Sequence, residues 1–234
     1  MPLTDGISAR RFPLVTVLLI AVNVIVWIFY ELPHVDSAIA HASLYPCDVS
    51  GACNSPVPWA LSWFTAMFMH ASWSHILGNM WFLAIFGKNV EGAFGHLRYL
   101  VLYVAGGFAA AATQTAVTLI AGTGADAMVP MLGASGAIAA VLGAYWVLFP
   151  KARILTLVAV FPIRIRASVF LGLWFVYQLI EAHFGLTSAS SGGTAVFAHI
   201  GGFVFGAIAA VALVRTQQQI FRRAGTPRFA YGAL

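Results

Sequence analysis

The chain has 234 residues, of which 61% are hydrophobic and only 8% charged, with a formal net charge of +5. A soluble domain carries roughly 25% charged residues and leaves a large share of its side chains facing water. This composition therefore excludes a water-soluble globular protein and points to a chain whose solvent is lipid. The positive charge does not indicate a nucleic-acid partner, because the basic residues form no single patch and fall between apolar segments.

In chain order, the first apolar run covers about residues 13–30 and follows Arg10 and Arg11. No small-x-small cleavage pattern follows it, so it reads as a first transmembrane helix rather than a secretory leader. The connection 31–74 is the longest, holds no basic residue, and is rich in Trp, Phe and Met near its end. Two short amphipathic elements lying at the membrane face fit that composition. It contains the chain's only cysteines, Cys47 and Cys53. A local disulfide is one reading of the pair, and a metal site shared with His41 is the other. Further spans are expected at about 75–90 (led in by 59–69), 97–120, 135–149, 168–180 and 195–214. The stretch 154–165 is interrupted by Pro162 and Arg164 and reads as interfacial rather than as a seventh span. The expected fold is an all-α membrane protein of six transmembrane helices, one domain over 1–234 with its core at about 13–214.

Charge sets the expected orientation. All 12 Lys and Arg residues fall in four groups: Arg10 and Arg11; Lys88 and Arg98; Lys151, Arg153, Arg164 and Arg166; Arg215, Arg222, Arg223 and Arg228. The remaining connections carry Glu31, Asp36, Asp48, Asp126 and Glu181 instead. The excess of positive charge on the cytoplasmic side then places both termini in the cytoplasm.

Four polar residues from three spans reach similar depth on the outer side under this topology. Ser135 stands at the start of the fourth span and His199 a few residues into the sixth. His75 and Asn79, one turn apart, share a face of the second. Each alone has a structural reading: a small packing serine, a histidine tying two helices, a helix cap, an interhelical amide. Together they supply a nucleophile, a base and fixed donors for a developing oxyanion. Gly202 and Gly206, four apart, and the small residues Gly136, Ala140 and Gly143 offer faces on which the sixth and fourth spans can approach closely.

These residues carry a resemblance. Gly133-Ala134-Ser135-Gly136 is similar to the GxSG nucleophile motif of the rhomboid family of intramembrane serine proteases. Ala198-His199-Ile200-Gly201-Gly202, followed by Gly206, resembles that family's AHxxG block, and His75 to Asn79 its HxxxN block. The likeness extends through Thr65, His70, Gly87, Glu91 and Gly95. It implies the basic six-helix bacterial-type form, with a water-filled cavity opening outward. It implies an intramembrane serine endopeptidase with Ser135 as nucleophile, His199 as base, and His75, Asn79 and the Ser135 N–H as oxyanion donors. Gly133, Gly136, Glu91, Gly202 and Gly206 are then structural. No cofactor and no metal are implied, and the partners are the lipid bilayer and transmembrane segments of substrates. The implied location is a cell inner membrane, with the site towards the periplasmic or extracellular side. Two positions depart from some relatives: Leu61-Ser62 stands where they carry Trp-Arg, and Ala139 where they stack a tyrosine on the catalytic histidine. A non-catalytic binder of membrane proteins and a small transporter are the competing function classes. The transporter lacks support from internal repeats or a midplane ion site.

Overall fold

The computed structural model describes residues 1–7, 11–187 and 195–224. Arg10 and Arg228 of the basic groups lie outside the described residues.

A short strand, β1 (Pro2–Thr4), precedes helix α1 (Leu14–Val26), which a π-helical turn prolongs through Trp27–Glu31. The long connection folds into α2 (Val35–Ala42), α3 (Pro46–Val49), α4 (Trp59–Thr65) and a 3₁₀ turn at Ala66–Phe68. It thus holds more helical pieces than the two expected. Helix α5 (Trp73–Phe82) runs through a π-helical turn, Leu83–Gly87, into α6 (Lys88–Phe94). Then come α7 (His96–Ala121), α8 (Gly124–Ala127) and α9 (Ser135–Leu148). Strands β2 (Arg153–Val158) and β3 (Phe161–Arg166) lead into α10 (Ala167–Thr187) and α11 (Val196–Ala224).

The structure corrects the expected six-span bundle. Among the described residues four helices are long and apolar enough to cross a membrane: Leu14–Glu31, His96–Ala121, Ala167–Phe184 and Val196–Thr216. The protein is a multi-pass membrane protein, but two of the expected spans do not have this character, for different reasons. The run from Trp73 to Phe94 is diluted by His75, Asn79, Lys88, Asn89 and Glu91. Helix α9 has only 14 residues, and nearly all its side chains are buried in protein rather than turned to lipid. Backbone at membrane depth need not be long or lipid-compatible when protein surrounds it.

The stretch read as interfacial is an antiparallel hairpin of β2 and β3, in register from Arg153 opposite Arg166 to Val158 opposite Phe161. β1 joins its other edge, giving the order β1-β2-β3. Next to this sheet Asp5 is buried, accepts from Asn89 Nδ2, takes the Tyr145 hydroxyl at 3.0 Å, and pairs with Lys88 at 3.3 Å. The N-terminal segment thereby holds the far ends of both α9 and the α5–α6 run. Glu91 has a comparable role one turn on. Its carboxylate accepts the backbone N–H groups of Val15 and Thr16, each at 2.8 Å, the Thr16 hydroxyl at 2.6 Å, and lies 2.6 Å from His96 Nδ1. These are the first amides of α1, which have no partners within their own helix, so Glu91 caps it from a neighbouring element.

The core is the packing of α9 between α7 and α11. Its closeness depends on missing side chains. A Cβ on Gly206 would overlap the Ala140 carbonyl, and one on Gly202 the Gly136 carbonyl. The two backbones are therefore nearer than any pair with side chains between them, which is how small residues drive helix association in lipid.

Candidate active site

The close contact of α9 with α11 brings together the polar ends of both helices. Ser135 opens α9 and His199 lies in the first turn of α11. Residue Gln114 of α7 fixes the start of α11: its side-chain oxygen accepts from the backbone N–H groups of Phe197 and Ala198 at 3.0 and 3.3 Å. With both helix starts fixed, His199 Nε2 stands 2.8 Å from Ser135 Oγ. His199 is buried and Ser135 half-buried.

The other face of the site comes from α5. Ser72 accepts from the His75 N–H at 3.2 Å and caps this helix, on which His75 and Asn79 lie one turn apart. Gly133 separates His75 from Ser135. It has φ +122°, and a Cβ there would lie 2.8 Å from His75 Nε2 and 3.6 Å from Ser135 Oγ. Only glycine accommodates both this backbone and that proximity. The Ala71 N–H approaches His75 Nδ1 at 3.5 Å, which leaves the Nε2 proton turned towards Gly133. Asn79 is buried, and its Nδ2 has no hydrogen-bond partner among the described residues.

The long connection covers this group. Leu44 and Met131 exchange backbone hydrogen bonds at 3.0 and 2.8 Å, and the Gly133 N–H donates to Ala66 O at 2.8 Å. The Thr65 hydroxyl donates to Ala42 O at 2.8 Å, and Glu31 accepts the His70 N–H at 2.8 Å. His70 is fully buried; burial, reinforced by the charge of His75, lowers its pKa to about 3, so it is neutral. Cys47 and Cys53 are joined by a disulfide. That occupies both thiols named in the alternative metal reading, and His41 instead contacts the Ser37 carbonyl at 2.6 Å. Beside Ser135 a small open pocket is lined largely by small residues, among them Gly107, Ala110, Ala137 and Ala198, with Trp63 and Met67 at its wall.

The Rhomboid domain family matches residues 58–216, more than half of the chain, a stretch that includes His75, Asn79, Ser135, Gln178 and His199. The chain belongs to the rhomboid family. Among its relatives, RHOMBOID-like protein 1 of Arabidopsis thaliana is 28% identical over 184 residues, which cover 77% of this chain and 41% of that protein. YdcA of Bacillus subtilis (strain 168) is 28% identical over 142 residues, 58% of this chain and 62% of that protein. Presenilin-associated rhomboid-like protein A, mitochondrial, of Danio rerio is 33% identical over 87 residues, 37% and 22% of the two chains. The chain therefore spans less than two thirds of each of these rhomboid relatives.

Two residues of this rhomboid site escape the sequence motifs. Gln178 and Trp174, one turn apart on α10, both face His199: Gln178 Oε1 lies 2.7 Å from Nδ1, and the Trp174 ring centroid 5.9 Å from the imidazole. The aromatic neighbour that some relatives carry at the position of Ala139 comes here from another helix, while Ala139 packs towards Gly202. At the other departure, Leu61 is exposed and the Ser62 hydroxyl donates to Trp59 O at 2.8 Å within its own helix. Gln178 could have been noticed as a polar side chain inside an apolar span. Glu181, read as part of a connection, lies inside α10.

Proposed function

We propose that this rhomboid protein is an intramembrane serine endopeptidase that cleaves transmembrane segments of membrane-protein substrates. The observation that carries the reading is the 2.8 Å contact between Ser135 Oγ and His199 Nε2. In this reading His199 takes the hydroxyl proton as Ser135 attacks the scissile carbonyl. The Ser135 N–H, Asn79 Nδ2 and His75 Nε2–H receive the oxyanion. His199 then protonates the leaving amine, and water hydrolyses the acyl-enzyme. The unpartnered Asn79 amide suits a donor held ready for a group that exists only during reaction.

The small-residue pocket beside Ser135 supports a preference for small side chains at the cleaved bond. Helical peptide bonds are already hydrogen-bonded within the helix, so cleavage is expected where a Gly or Pro weakens the substrate helix near its end. Both termini are assigned to the cytoplasm. Arg153, Arg164, Arg166 and Lys88 gather around the sheet and Asp5, at the opposite end of α9 from Ser135, and under the positive-inside rule this supports a site towards the outer face.

The test is cleavage of a single-span substrate by the protein reconstituted in lipid. Ser135→Ala and His199→Ala should each abolish turnover, and the double variant should be no worse than either, because nucleophile and base act as one unit. A folded Ser135→Ala variant that still cleaves would overturn the reading. The competing binder predicts no labelling of Ser135 by a serine-directed probe.

A further inference from the structure

An imidazole serves as a base towards Ser135 only if Nε2 carries no proton, so the tautomer of His199 has to be set by something at Nδ1. The partner at Nδ1 is an amide, whose two ends look alike, and its own neighbours decide which end faces the ring. Gln178 Nε2 lies 3.4 Å from Glu181 Oε2, while the Tyr177 hydroxyl donates to Glu181 Oε1 at 2.6 Å. A carboxylate only accepts, so it draws the NH₂ end of Gln178 and turns Oε1 towards His199. A carbonyl oxygen also only accepts, so Nδ1 must hold the imidazole proton. The lone pair is then on Nε2, the atom 2.8 Å from Ser135 Oγ.

We infer that Glu181, acting through Gln178, fixes His199 in the tautomer able to receive the Ser135 proton, an inference that rests on the proteolytic reading above. Gln178 and Glu181 are positioning residues. As the Ser135 oxygen bonds to the carbonyl carbon, its proton moves to Nε2, and the Nδ1–H bond to Gln178 persists in the imidazolium. When the carbon–nitrogen bond breaks, the Nε2 proton leaves with the amine, and the starting tautomer is restored. No proton passes to the amide. The arrangement gives the histidine an orienting partner although no acidic residue among the described residues hydrogen-bonds to it. Gln178 is buried, which keeps water from competing for Nδ1.

The experiment uses the full chain in lipid with a single-span substrate and nitrogen-15-labelled histidine. Gln178→Leu keeps approximate volume and loses the acceptor; Gln178→Glu keeps an acceptor; Glu181→Gln lets the amide turn either way. Gln178→Leu should lower kcat about 10- to 100-fold with KM unchanged, the scale known for outer partners that orient metal-bound histidines. Its imidazole nitrogen signals should shift towards the Nε2–H tautomer. Gln178→Glu should recover activity to within several-fold, and Glu181→Gln should lower kcat several-fold with a mixed tautomer signal. Wild-type kcat and an unchanged tautomer in Gln178→Leu would overturn the inference. So would a loss of activity that Gln178→Glu does not restore. Should Gln178→Leu not fold, an unmixed tautomer and full activity in Glu181→Gln would overturn it equally. Cleavage surviving in Ser135→Ala would remove the proteolytic reading instead, while the tautomer signals would still report on the hydrogen bond itself.

Discussion

Asn79→Ala separates a catalytic donor from a structural amide, because the two roles predict different effects on stability and on turnover. Asn79 is 9% exposed, and its Nδ2 is unpaired among the described residues. A buried donor without a partner costs about 1–3 kcal/mol. Truncation removes that penalty and gives up the packing of the amide, so the two changes oppose each other. The net change should stay within about 1 kcal/mol, or about 2–4 °C in melting temperature for a chain of this size. During reaction the same amide gains the oxyanion as acceptor. Losing one such donor typically costs about 2.7–4 kcal/mol, a factor of 10² to 10³ in kcat. His75 and the Ser135 N–H remain, so the low end, about 10²-fold, is expected. KM should hold, because the lost contact is made only in the transition state. Turnover per folded molecule in lipid and a thermal melt of the same preparation suffice to test this. A melting temperature lowered by more than about 5 °C with kcat unchanged would refute the oxyanion role.

Replacing Cys47 and Cys53 with Ser should destabilise the covering loop by about 2 kcal/mol, from the chain entropy of so short a closed loop, with kcat largely retained; proteolysis of the loop measures it, and two free thiols in protein isolated without reductant would contradict the bridge. His70 lies outside the four spanning helices, and its folded pKa is lowered from 6.5 to about 3. Its contribution to stability is therefore complete above about pH 6.5 and is lost as pH falls towards 3. Hydrogen exchange in residues 66–72 should accelerate across that window and lose its pH dependence in His70→Phe; a flat profile in the parent protein counts against the assignment. Reporter fusions within residues 48–56 and after Leu234 should report opposite sides of the membrane, and an outer signal from the C-terminal fusion would overturn the proposed orientation.

Much of the site could be read in the sequence because its parts lie in short local patterns. Ser135 beside Gly133, and His199 ahead of Gly202 and Gly206, carry their own packing instructions, and the structure places Ser135 and His199 side by side. The number of helices with spanning character among the described residues differs from the expected six for a physical reason. Hydropathy reports exposure to lipid, whereas α9 is surrounded by protein and the Trp73–Phe94 run carries polar residues, of which Lys88, Asn89 and Glu91 are paired by neighbouring elements. The sheet was equally hidden, because β1 is only three residues long and finds β2 far along the chain. Gln178 and Trp174 reach His199 from a helix bearing no motif, and only the crossing of α10 with α11 reveals that they meet it.

The sheet also constrains when the fold can close. Met1 and Leu157 are bonded across a separation of 156 residues, and Pro2 faces Thr156. At a synthesis rate of roughly 5–20 residues per second, β1 waits on the order of 8–30 s before its partner strand leaves the ribosome. During that interval its backbone groups are unpaired and Asp5 has no Tyr145 to meet. Closing so long a loop is slow and comes late. The far ends of the serine-bearing helix and of the His75 helix are therefore joined only after most of the chain has entered the membrane. A nascent chain stalled before residue 153 would hold Ser135 without this restraint, so the sheet completes the molecule in time as well as in space.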